Sequence, residues 1–263
     1  MACVIDRLTY KTFATLAGHG DLVAIVGAGG KTSTMFALAA ALAGRGMTVI
    51  TTKSTTVHRP TLERGPPVAV IAEERWAAEL PSLLRRQPVA SVVTAAPSER
   101  RWDGVRPESA AWLMEASGAD VVIVEADGAR GRLLKSPADH EPAMPPQASI
   151  VMPVTSLRAV GQQLAMRHVH RPEHVAAVLH LQMYERLTVE HIGTLVLSPE
   201  SGLKSAPANA RVWPVLTSAS QVPQSDLEAL IGRLSDHPRV AGCVVAWYGL
   251  HETNFSALRT HSS

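Results

Sequence analysis

A glycine-rich segment near the start of the chain has the residue types of a phosphate-binding loop. Its sequence is Gly27-Ala28-Gly29-Gly30-Lys31-Thr32. Glycines allow backbone N–H groups to converge on an anion, and a helix that begins at the loop adds its own unpaired N–H groups. A lysine supplies positive charge for the β- and γ-phosphates, and a threonine hydroxyl suits Mg²⁺. The residues from Gly27 to Ser33 therefore predict a nucleotide-binding site.

The spacing of this loop differs from the usual G-x-x-x-x-G-K-[ST] pattern. The chain has Ile25 or Val26 where that pattern has its first glycine. The shorter Gly-x-x-Gly-Lys-Thr arrangement resembles the phosphate loop of the Mur ligases and folylpolyglutamate synthases. A dinucleotide-binding turn fits less well, because G-x-G-x-x-G would need glycine at Thr32 and an acid near Lys53.

Two acidic residues lie where the predicted buried strand near 120–125 ends. Glu125 and Asp127 are two positions apart, so both side chains should point the same way where the strand ends. Mg²⁺ prefers one or two carboxylates together with phosphate oxygens. We expect Lys31, Glu125 and Asp127 to be catalytic and Thr32, Glu125 and Asp127 to hold Mg²⁺, with the direct ligand among the two acids left open.

Further polar residues follow predicted strands and are candidates for contacts with phosphate or substrate. Arginines beside a phosphate site can stabilise charge in the transition state, although such residues are also common in solvated loops. The candidate contacts are Thr51, Thr52, Lys53, Arg130, Lys135, His140 and Glu141. The histidines 168, 170 and 174 have no cysteine nearby and basic neighbours, so we expect surface histidines there rather than a zinc site.

Alternating strand and helix patterns must position these residues. Strands are predicted near 22–26, 47–52, 68–71, 89–94, 120–125, 149–154, 194–197, 211–216 and 240–247, and helices near 32–44, 73–86, 107–117, 172–181, 188–193 and 224–235. This alternation predicts an α/β fold, a mostly parallel sheet flanked by helices in three layers like that of P-loop NTPases. We expect a single domain over 1–263, in which 155–210 either complete the sheet or form a C-terminal subdomain.

The composition limits the class of protein. The 263 residues are 46% hydrophobic with a formal net charge of +2, and the scattered arginines and 4% aromatic content argue against a nucleic-acid partner. Cys3 and Cys243 cannot make a disulfide framework, and the N-terminus lacks the features of a signal peptide. With no apolar stretch long enough for a membrane span, we expect a cytoplasmic protein without a membrane partner.

The chain resembles the YqeC family, described as accessory proteins of selenium-dependent molybdenum hydroxylases. The resemblance runs from about residue 15 to 245 and consists of ordered blocks at 26–32, 49–53, 123–131, 134–142, 170–173 and 202–204. It implies a P-loop-type nucleotide-binding protein that helps to mature or load the molybdenum cofactor of a hydroxylase. It also draws attention to His140 and Glu141. The segment 216–220 lacks an Asn-Lys-x-Asp reader of guanine, which favours ATP over GTP.

Three functions are consistent with these residues. The first is a Mg²⁺-dependent ATPase that acts as an accessory factor for molybdenum hydroxylases. The second is an ATP-dependent ligase or kinase acting on a small molecule, as the Mur-like loop suggests. The third is a nucleotide-gated chaperone or scaffold that binds a nucleoside triphosphate without hydrolysing it.

Overall fold

A computed structural model of the chain describes residues 13–58, 62, 65–99, 101–248 and 253–259. The strands are β1 Asp21–Gly27, β2 Val49–Lys53, β3 Val57–His58, β4 Val68–Val70, β5 Val89–Val93, β6 Arg101–Trp102, β7 Val121–Glu125, β8 Leu134–Lys135, β9 Ile150–Ser156, β10 Val169–His170, β11 Arg211–Val212, β12 Val215–Thr217, β13 Gly242–Tyr248 and β14 Thr253–Arg259. The helices are α1 Lys31–Ala43, α2 Trp76–Arg86, α3 Ala110–Ser117, α4 Pro172–Leu179, α5 Val189–Leu197 and α6 Gln224–Ser235.

The main sheet has the strand order β14-β13-β12-β9-β1-β7-β2-β5-β4, with β11 also paired to β9. Its strands are parallel except for the antiparallel pair of β13 and β14. Within this sheet, β2, β4, β5 and β7 lie on one side of β1, and β9, β11, β12, β13 and β14 lie on the other. Open α/β sheets bind ligands at the carboxyl ends of strands where the order reverses in this way. The central position of β1 therefore places its C-terminal loop at the expected ligand-binding edge.

Helices cover both faces of this sheet. Val23 and Ile25 of β1 pack with Met35 and Leu38 of α1 on one face. Leu22 lies on the other face, in a cluster with side chains of α2 and α3. On that same face, α5 and α6 cover strands β12 and β13. Strands buried on both faces are continuous apolar runs, as the sequence of β1 is. The predicted α/β class, a mostly parallel sheet between two helical layers, is confirmed.

Two predicted strands differ in the structure. The strand predicted at 194–197 is wrong, because these residues form the second half of α5, which begins after a capping box made by Thr188 and His191. A short apolar run is compatible with a buried strand or a buried helix, and its periodicity alone does not distinguish them. The strand predicted at 211–216 is divided into β11 and β12, with Pro214 between them.

Residues 155–210 supply the end of β9, the short β10 and the helices α4 and α5. Side chains of this region, including Leu164, Val175 and Ile192, share a buried cluster with Leu216 and Val245 of the sheet. Their description as a subdomain stays a prediction. Cys3 lies outside the described residues, whereas Cys243 is buried in β13. In the part of the chain that the structure describes, no helix has the length and apolarity needed to cross a membrane.

Candidate functional site

The glycine loop connects the end of β1 at Gly27 directly to the start of α1 at Lys31. Gly27 and Gly29 have φ angles of 95° and 76°. A Cβ atom on Gly27 would lie 2.2 Å from the Val154 carbonyl oxygen, and one on Gly29 would lie 2.4 Å from the Ser156 Cβ. Both positions therefore require glycine. Because α1 begins at Lys31, the N–H groups of its first turn have no partner within the helix and can face an anion.

Two contacts from the neighbouring strands hold the loop in place. The Ala28 N–H donates to the Val154 carbonyl oxygen of β9 at 2.9 Å. The Thr217 hydroxyl, at the end of β12, donates to the Gly29 carbonyl oxygen at 2.6 Å. These two hydrogen bonds anchor the loop to β9 and β12.

The Lys31 side chain is buried where the loop meets the acidic end of β7. Its Nζ donates to the Gly27 carbonyl oxygen at 2.6 Å and lies 3.1 Å from Asp127 Oδ1 and 3.9 Å from Glu125 Oε1. A buried ammonium needs such partners, because leaving water costs a charged group several kcal/mol. Lys31 also lines the open cleft above the loop, where its charge can reach a phosphate.

Asp127 links the loop to two lysines. Its Oδ2 accepts a hydrogen bond from the Gly27 N–H at 3.1 Å and lies 3.0 Å from the Lys135 Nζ. The Lys31 Nζ lies 3.1 Å from the Asp127 Oδ1, but this contact lacks the geometry of a hydrogen bond. These contacts allow Asp127 to position both the loop and the Lys31 side chain.

Glu125, Thr32 and Lys53 form a second group on the β2 side of the loop. The Thr32 hydroxyl donates to Glu125 Oε2 at 2.7 Å, and the Lys53 Nζ lies 2.9 Å from the same oxygen. Neighbouring ligands of an octahedral Mg²⁺ are about 2.9 Å apart, so the Thr32 and Glu125 oxygens have a suitable separation and chemistry for this ion. The Lys53 ammonium, 3.5 Å from the Thr32 hydroxyl, balances the Glu125 charge at this position.

Behind Asp127, a chain of ion pairs continues to the start of α4. The Lys135 Nζ contacts Glu141 Oε2 and the Gly128 carbonyl oxygen, each at 2.8 Å. Glu141 also pairs with Arg171, which occupies the N-cap position of α4. Burial raises the pKa of Glu141, but the hydrogen bonds from Arg171 and Lys135 outweigh it and lower this pKa to about 2. The carboxylate is therefore charged under all ordinary conditions.

The loop opens into a cleft of about 610 Å³, within the range of small-molecule sites. It lies at the carboxyl ends of β2, β7, β1, β9 and β12. Its lining contains five cationic side chains and two carboxylates. The charged lining residues are Lys31, Lys53, Arg130, Arg132, Arg158, Glu125 and Asp127.

Most of the predicted site residues meet around this cleft. The residues that line it are Gly29, Gly30, Lys31, Thr32, Ser33, Lys53, Glu125, Asp127 and Arg130, while Gly27 and Ala28 line a small cavity behind the loop. Lys135 lines that cavity too, and Glu141 contacts Lys135 as described. His140 is exposed outside both lining sets.

Thr51 and Thr52 are not among the cleft residues. The Thr51 hydroxyl pairs with the Ser91 hydroxyl, and the Thr52 hydroxyl donates to the Val92 carbonyl oxygen, each at 2.7 Å inside the sheet. Within the described ranges, no three His, Cys, Asp or Glu side chains form a group that could hold a metal ion. The histidines at 168, 170 and 174 are within these ranges and form no such group.

The sequence does not predict a role at the site for Thr217, Ser218 or Arg158. These residues lie at or after the ends of β12 and β9, and only the order of strands in the sheet brings them beside the loop. Arg171 has no local pattern of its own that indicates a role. It did stand in one of the blocks that carry the family resemblance, which was the available signal.

A comparison with protein families matches the YqeC protein family to residues 23–173. The chain belongs to the YqeC family. A protein named YqeC from Escherichia coli (strain K12) is 30% identical over 236 residues, covering 84% of this chain and 90% of the relative. The matched family region begins in β1 and ends at the start of α4. It therefore contains the glycine loop, both acids and the ion-pair chain to Arg171.

Among solved structures, a crystal structure of FtsY from Mycoplasma mycoides aligns with 96% of this chain and 70% of its own, at 11% identity. The TM-score is 0.42. A value this low does not establish a shared fold.

Proposed function

We propose that this YqeC-family chain binds a magnesium-bound nucleoside triphosphate, with ATP as the nucleotide, and hydrolyses it. The observation that carries the proposal is the grouping of Lys31, Thr32 and Glu125 at the mouth of a rigid glycine loop. Cation, hydroxyl and carboxylate are the three groups that phosphoryl transfer requires around a triphosphate. They line one cleft with the open end of α1.

The chain's own groups would act mainly by positioning and by electrostatics. The loop N–H groups and the first turn of α1 bind phosphate oxygens, and Lys31 neutralises negative charge as it develops. The Lys31 ammonium is already held at the loop by Gly27 and Asp127, so it needs little reorganisation. Asp127 serves as a positioning residue for Lys31 and the loop.

Thr32 and Glu125 are the residues that would hold Mg²⁺. The ion, when bound, supplies charge neutralisation and orients the phosphates. Of the two acids, Glu125 is the better candidate for the ligand, because it contacts the Thr32 hydroxyl, whereas Asp127 is occupied by two lysines and a backbone N–H. The pairing of Glu125 with Lys53 means that Lys53 must turn away toward phosphate as the ion enters.

ATP is the preferred nucleotide because the end of β12 offers no acid to read guanine. The residues that follow Thr217 are Ser218, Ala219 and Ser220, and Ser218 lines the cleft. Recognition of the guanine N–H groups would need a carboxylate at such a position.

The experiment that tests this function measures phosphate release from ATP and GTP over a range of Mg²⁺ concentrations. We expect Mg²⁺-dependent release that favours ATP and falls at least tenfold in Glu125→Gln. The matched control is Glu115→Gln, which alters an exposed acid on α3 away from the cleft. Binding of ATP without release would instead favour the non-hydrolysing scaffold.

The biological step that we propose is maturation of a molybdenum-cofactor hydroxylase, and it rests on the family resemblance alone. The test is the molybdenum content and activity of a hydroxylase produced with the wild-type chain, with Lys31→Ala, or with neither. Equal loading in all three cases would contradict this role.

A further inference from the structure

We infer that the cleft has a second anion-binding site, built from Arg130, Arg132 and Arg158, for a co-substrate that carries an oxyanion group. The inference rests on the proposed function, since it takes the other half of the cleft to be the triphosphate site. Five cationic side chains and two carboxylates line the cleft. Lys31 pairs with Asp127 and Lys53 pairs with Glu125, which balances the two carboxylates. Among the residues that the structure describes, no carboxylate pairs with any of the three arginines.

The arginines lie at a different end of the cleft from the Thr32 and Glu125 pair. Glu125 ends β7, whereas Arg158 follows β9, and β1 lies between these two strands. Two strand spacings separate them, or about 10 Å. The turn that carries Arg130 and Arg132 is bonded toward β9, because the Ser156 N–H donates to the Leu133 carbonyl oxygen at 3.2 Å. The three arginines therefore line the cleft from the β9 side.

The backbone that carries these arginines is well anchored. The Arg132 N–H donates to the Ala129 carbonyl oxygen at 2.9 Å, closing a turn in which Arg130 and Gly131 both have positive φ, 48° and 71°. Arg158 sits in a short 3₁₀ turn between Leu157 and Ala159, both fully buried. The side chains are thus presented from fixed points.

Backbone strain marks the same end of the cleft. Arg130 and Ser218 are non-glycine residues in the left-handed region, with φ of 48° and 57°, and both line the cleft. Such conformations are strained for residues other than glycine and are concentrated at functional sites. Planar guanidinium groups match phosphate and carboxylate with paired hydrogen bonds, and the Ser156 and Ser218 hydroxyls nearby can add donors. The ligand class is therefore an anion with a phosphate or carboxylate group.

The test is calorimetric titration of the full chain, saturated with Mg²⁺ and a non-hydrolysable ATP analogue, with inorganic phosphate or with succinate. We expect one of these probes to bind in the presence of the analogue. The double variant Arg132→Ala/Arg158→Ala should weaken that probe at least tenfold while changing the affinity for the analogue by less than threefold. Arg85→Ala, an exposed arginine on α2 outside the cleft, is the matched control and should change neither. The stronger probe identifies the oxyanion as phosphate or carboxylate.

The outcomes separate this site from the proposed function. If the analogue binds but neither probe does, the second site is wrong and the nucleotide site stands. If the double variant loses the analogue itself, the arginines belong to the nucleotide site and the inference fails. If the wild-type chain does not bind the analogue at all, the proposed function fails.

Discussion

Replacing Lys135 by Met tests whether the ion-pair chain behind the loop holds the site together. The Lys135 side chain is 1% exposed, and its Nζ contacts Asp127 at 3.0 Å, Glu141 at 2.8 Å and the Gly128 carbonyl oxygen at 2.8 Å. Methionine has similar length and no charge. The variant therefore removes one cation from two carboxylates and leaves the volume filled.

The expected cost follows from what remains. Removing one partner of a buried ion pair destabilises a protein by about 3–5 kcal/mol. Asp127 keeps Lys31 and Glu141 keeps Arg171, so we expect a value near the lower limit, about 3 kcal/mol. For a chain of this size, that lowers the unfolding midpoint by roughly 6–12 °C.

The assay is thermal unfolding followed by circular dichroism, with Lys204→Met as the matched control. Lys204 donates at 2.7 Å to the carbonyl oxygen of Ala138, which lies close to Lys135 in the chain, and among the described residues it has no carboxylate partner. Loss of that hydrogen bond should cost about 1 kcal/mol. Equal midpoints for the two variants would refute the claim that Lys135 compensates buried carboxylates.

Three further predictions concern the loop, the metal and acid stability. Gly29→Ala should weaken nucleotide binding at least tenfold in a titration, because its Cβ would lie 2.4 Å from the Ser156 Cβ, whereas Gly20→Ala, with similar φ but open space, should not. Lys53→Met should lower the Mg²⁺ concentration that half-saturates the protein at fixed ATP, since it removes the ammonium 2.9 Å from Glu125, and an unchanged or higher concentration would contradict this. The pKa of Glu141 falls from 4.5 to about 2 on folding, so its contribution is full above pH 4.5 and lost as the pH falls toward 2. Urea unfolding at pH 6 and pH 3 should therefore show a loss of about 2 kcal/mol that is missing in Glu141→Gln, and equal losses would argue against the ion pairs.

The features that depend on neighbouring residues could be predicted from the sequence. The glycine loop, the helix after it and the two acids at a strand end are patterns within about ten residues. The alternation of apolar runs also predicted the α/β class correctly.

The features that depend on distant strands could not. The Thr217 hydroxyl reaches Gly29 across 188 positions, and only the sheet order brings β12 beside the loop. Thr51 and Thr52 were proposed as phosphate contacts because they end a strand, but pairing with β5 directs both hydroxyls into the sheet. The apolar run at 194–197 predicts a strand, but these residues are helical. An apolar run this short fits a buried strand or a buried helix, because its periodicity does not distinguish the two.

Calorimetric titration is the most direct test of whether the loop around Lys31 is a magnesium-dependent ATP site. Wild-type chain, Lys31→Ala and Asp127→Ala are titrated with ATP, GTP and CTP, with and without Mg²⁺, after thermal unfolding has shown that each variant is folded. We expect Mg²⁺-dependent binding that favours ATP and is weakened at least tenfold in both variants. Binding that is unchanged in Lys31→Ala, or no binding of any nucleotide to the wild-type chain, would contradict it.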